Sequence, residues 1–134
     1  MKKIFSLLLI ILCSAQISFA GSDIDKWPAL KAMHGVISQT FHPSEEGNLV
    51  PVRARAKELY TKAQTLAKSK VPAEFNNAQV KAAVATLEKE AKTLRQMVAE
   101  NGGDDDIKQQ LSAVHDAYHE IAGLCSKEEA QEAE

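Results

Sequence analysis

His115, Asp116 and His119 are the residues whose type and spacing could do chemistry. They lie in the run Leu111-Ser112-Ala113-Val114-His115-Asp116-Ala117-Tyr118-His119. On a helix, residues at i and i+4 project from the same side, one turn apart. Two neutral imidazoles so placed can ligate a metal ion together, or one of them can serve as an axial ligand to haem iron. Two further histidines, His34 and His42, and a methionine, Met33, lie in the first third of the chain. A methionine at helical spacing is ordinarily a core residue, and surface histidines fall four apart by chance, so each candidate has a plain structural alternative.

Helices must position these groups, because no segment alternates apolar and polar residues as a strand does, and a period near 3.6 runs through the chain instead. The first helix is expected from about Pro28 to Phe41, capped by Asp25, with Leu30, Met33, Ile37 and Phe41 as its apolar line. The segment 42–48 then breaks it. The second helix runs from about Pro51 to Lys68 on Val52, Ala56, Leu59, Ala63 and Leu66, and Val71-Pro72 makes the next turn. The third, about Ala78 to Glu100, carries Val80, Val84, Leu87, Ala91, Leu94 and Val98. Asn101-Gly102-Gly103 stops it with residues that tolerate a left-handed backbone. Asp104, Asp105 and Asp106 suit the positive end of a new helix, expected from about Asp106 to Leu124 along Ile107, Leu111, Val114, Tyr118, Ile121 and Cys125. Residues 126–134 form an acidic tail prone to fraying. The fold class is all-α, an up-down-up-down antiparallel four-helix bundle.

With roughly 1.5 Å of rise per residue, helix counting puts His34 near mid-height and His115 level with Met33 and His34. His119 falls about 6 Å lower on the same count. His42 lies at the opposite end, near Glu45 and Glu46, outside the group. Met33 and Val114 take core positions, His34 and His115 the boundary, and His119 points further outward.

The first twenty residues read as an export signal rather than as fold. Lys2 and Lys3 precede an apolar core from Ile4 to Cys13, and Ser18-Phe19-Ala20 supplies a small-residue cleavage site. The fold then occupies residues 21–134 as one domain, and the expected location is the periplasm. Loss of Lys2 and Lys3 takes the sixteen basic residues to fourteen against eighteen acidic ones, a net charge of −4. No basic stripe with interleaved aromatics argues for nucleic acid, and nothing after residue 21 is apolar enough for a bilayer. With only Cys125 left, an internal disulfide is excluded. There is no glycine-rich phosphate loop, no H-E-x-x-H and no serine with a matched base, so the reading is not that of an enzyme. Glu46 with Arg53 or Arg55 is expected to make no more than a surface ion pair.

The stretch Leu111 to Tyr118 resembles the fourth helix of cytochrome c′, and the chain is similar as a whole to cytochrome b562, a periplasmic bundle holding haem without thioether bonds. The resemblance is specific over about ten residues. It implies a non-covalently bound haem b used in electron transfer with a redox partner protein, His115 as one axial ligand and Met33 as the other. Leu111 and Val114 stand where the attachment cysteines of the c-type motif would be, so no thiol is present to bond the haem vinyl groups. The alternatives are a haem-free copper or zinc site built from His34, His115, His119 and Asp116, or a helical module with no cofactor. A homodimer is compatible with each, and Cys125 would be its means only if it were exposed.

Overall fold

The computed structural model describes residues 23–132. The expected export signal, residues 1–20, lies outside the described residues. A short 3-10 turn, Asp23–Lys26, leads into α1, Pro28–Glu45. Then follow α2, Val50–Lys68; a 3-10 turn, Ala73–Phe75; α3, Ala78–Ala99; and α4, Asp104–Glu132. Short connections make neighbouring helices antiparallel, and α4 returns against α1 to close a four-helix bundle. Among the described residues no helix is long and apolar enough to cross a membrane.

The expected apolar lines face inward. Val52, Ala56, Leu59, Ala63 and Leu66 of α2, and Val80, Val84, Leu87, Ala91 and Leu94 of α3, are all buried. So are Ile107, Leu111, Val114, Tyr118, Ile121 and Cys125 of α4. Alanines at three of these positions let α2 and α3 approach closely, and Phe75 fills the end of the core from the 3-10 turn. The seam between α1 and α4 is the looser one.

The helix ends follow local chemistry. Asn77 Oδ1 accepts from Val80 N at 2.8 Å and starts α3. At the other end Asn101 adopts φ 55°, Asn101 N bonds Val98 O at 3.1 Å, and Gly102 N bonds Met97 O at 2.8 Å. This is a Schellman stop of the kind expected from Asn101-Gly102-Gly103. Arg53 of α2 clamps the turn by donating to Gly102 O (2.9 Å) and to Asp104 Oδ1 (2.5 Å).

Four local expectations need correction. Helix α1 runs past Phe41 to Glu45 with Pro43 in its last turn. Gly47 N and Asn48 N satisfy the final carbonyls of Ser44 and Pro43, and the break comes at Gly47, with φ +85°. Asp25 does not cap α1; Trp27 takes the cap position and Asp25 pairs with Lys31 at 2.5 Å. Arg53 turns to Asp104, and Arg55 to Glu58 and Gln39, so neither meets Glu46. Helix α4 starts two residues earlier than expected and continues to Glu132.

Trp27 is buried at the start of α1, and its Nε1 donates to Ser69 Oγ (2.8 Å) at the end of α2. The Ser69→Ala change leaves that indole N–H unpartnered. It is expected to lower unfolding free energy by about 1–3 kcal/mol, read from urea denaturation followed by Trp27 fluorescence.

Candidate functional site

Packing of α4 decides where its imidazoles stand. Val114 and Tyr118 are buried at its centre, so the residues that follow each of them, His115 and His119, are rotated to the rim facing α1. His115 is half-buried there, its side chain 24% exposed, and His119 is exposed.

The ring of His115 lies flat against Phe41 of α1, with centroids 3.8 Å apart and planes 9° from parallel. His119 meets His115 edge-on, centroids 4.4 Å apart, and their Nε2 atoms are 3.1 Å from each other. The other ring nitrogen of His115, Nδ1, faces Asp116 Oδ1 at 3.5 Å. A carboxylate on that side favours the tautomer with the proton on Nδ1, leaving the Nε2 lone pair free to accept from His119. One of the two Nε2 atoms donates to the other, in the direction their tautomers set.

A row of rings extends this pair along the seam. His119 touches the edge of Tyr118 (5.5 Å), and His34 of α1 stacks on Tyr118 (5.1 Å, 19°). At the other end Phe41 meets His42 (5.9 Å). All four histidines therefore belong to one continuous strip, including His42, which helix counting had placed apart. The strip is not one convergent site. His34 Nε2 contacts Ser38 Oγ at 3.3 Å, and His42 Nδ1 contacts Glu45 Oε2 at 3.2 Å. Among the described residues no three His, Cys, Asp or Glu side chains are grouped to hold a metal ion.

Of the expected site residues, the structure brings His115 and His119 together. It places Asp116, 81% exposed, behind the Nδ1 of His115 and away from the Nε2 pair. Tyr118 stands between His34 and His119. Met33 is buried in the core beside His34, at the level of Tyr118, while His115 is level with Phe41. The expected matching of His115 with Met33 and His34 is thus displaced: His115 meets Phe41, about two turns further along α1 than His34. Phe41, the residue that supports His115, was read only as part of an apolar line. Its position four before the end of α1 at Glu45 gave no signal of that contact.

Comparison with protein-family models, curated proteins and solved structures finds no match to this chain.

The Tyr118 hydroxyl is buried without a hydrogen-bond partner. Burial, and secondarily the nearby Cys125 thiol, push its pKa up from 10 to about 12. Below pH 10 both folded and unfolded chains keep the phenol proton. Between pH 10 and about 12 only the folded chain keeps it, so stability falls as pH rises through that window. The Tyr118→Phe chain should be more stable at neutral pH by about 1 kcal/mol, since an unmatched polar group is removed. It should also lose this alkaline decline, as measured by chemical denaturation from pH 8 to 12 with absorbance of the phenolate band as a check.

Proposed function

We propose that the bundle binds a borderline transition-metal ion, copper(II) or zinc(II), through Nε2 of His115 and His119. The observation that carries this reading is the 3.1 Å separation of those two atoms. Metal–imidazole bonds of about 2.0–2.1 Å put two nitrogens roughly 2.9 Å apart in a square arrangement and about 3.3 Å apart in a tetrahedral one. The pair is therefore spaced as a chelate before any ion arrives, and binding requires the Nε2 proton of the donating imidazole to move to its Nδ1. Asp116 supports the site from behind by holding the His115 Nδ1 proton. Phe41 fixes the ring plane and offers its face to the positive charge that coordination places on the imidazole.

The signal-like pattern of residues 1–20 supports export, and hence exposure to metal ions outside the cytoplasm. The haem reading draws its support from the resemblance of residues 111–118 alone. The buried Met33 and the outward pair His115–His119 favour the ion over the porphyrin.

Calorimetric titration of the chain with zinc or copper should give a saturable isotherm. Metal at a hundred times Kd should raise unfolding free energy by about 2.7 kcal/mol. His115→Ala and His119→Ala should each weaken binding at least tenfold, and His42→Ala should leave it unchanged. An isotherm for the native chain no tighter than that of His119→Ala would remove the proposal. Phe41→Ala should weaken binding several-fold without abolishing it. Affinity should fall on acidification, because a protonated imidazole has no lone pair to give.

A further inference from the structure

We infer that the His115–His119 pair is half of a metal centre completed by the same pair from a second copy of this chain. The inference rests on the metal reading above. Two imidazoles fill two positions of an ion that takes four ligands when its role is structural. Among the described residues no third His, Cys, Asp or Glu side chain joins them: Asp116 sits on the far nitrogen of His115, and Tyr118 separates His34 from His119. The missing donors are thus not among the described residues. A second copy related by a two-fold axis through the ion supplies the same two nitrogens in an isologous contact.

The face around the pair permits that approach. One turn beyond His119 on α4 stands Gly123, and on the opposing stretch of α1 stands Gly35. A Cβ built at either would meet nothing within 4 Å. The helix surface is thus open at these two glycines. His119 is exposed, so an ion on its Nε2 can lie between two molecules. Zinc fits this arrangement best, since four imidazoles in a tetrahedron need no preference from the metal's own electrons. Four neutral ligands leave both charges of the ion uncompensated, and Asp116 of each copy, one residue from the ligand, faces this charge through the His115 ring.

The test is sedimentation of residues 21–134 with and without zinc, together with calorimetric stoichiometry. The expected result is one zinc per two chains, a mass that doubles on zinc addition, and return to the starting mass with EDTA, which a disulfide through Cys125 would not allow. His119→Ala should keep the starting mass at every zinc concentration. Zinc bound one per chain with no change of mass overturns the inference and leaves the metal reading standing. If His34→Ala then weakened that binding tenfold, the third donor would be within the chain. No zinc or copper heat at all overturns both.

Discussion

The phase of α4 is the constraint on which the rest depends. Val114, Tyr118, Ile121 and Cys125 are spaced four, three and four, and all are buried. Burying a side chain of this size is worth about 1.5–3 kcal/mol, far more than any contact an imidazole makes at a bundle surface. Rotating α4 to bring His115 inward would expose Val114 or Tyr118. The histidines are thus held at the rim by their neighbours' hydrophobicity, and their shared orientation is a by-product of core packing. The chelate spacing of the two Nε2 atoms costs little because the backbone that sets it is fixed for other reasons.

The α1–α4 seam follows from the same constraint. The other three helix contacts are closed by alanine and aliphatic residues, while here the helices stand further apart and flat rings fill the gap. Phe41 against His115 and His34 against Tyr118 are stacked pairs from opposite helices, each worth about 0.5–1.5 kcal/mol beyond burial. Groups that could bind a ligand here also hold the seam together.

The helices and the core were legible in the sequence because both depend on local periodicity. Every apolar residue read along α2 and α4 is buried, and the left-handed stop at Asn101 could be read from the residue types. The relative height of α1 and α4 was not legible. It depends on where each helix ends, and Pro43, which reads as a breaker, sits harmlessly in the last turn of α1. An error of about two turns moves His115 from opposite His34 to opposite Phe41. The i, i+4 pair survives that error because it lies on one helix, whereas a pairing across helices, such as Met33 with His115, does not. Sites within one element can be read from spacing; sites between elements need the register.

Trp27 is the chain's single indole, and it is sealed where α1 begins, bonded to the end of α2. Phe41, which marks the imidazole strip, is fourteen residues further along the same helix, roughly 20 Å away. Tyr118, by contrast, touches two of the histidines directly. The molecule therefore carries two independent optical gauges: emission from the indole follows whether the helices are assembled, and the phenol's near-ultraviolet bands follow what happens to the imidazoles beside it.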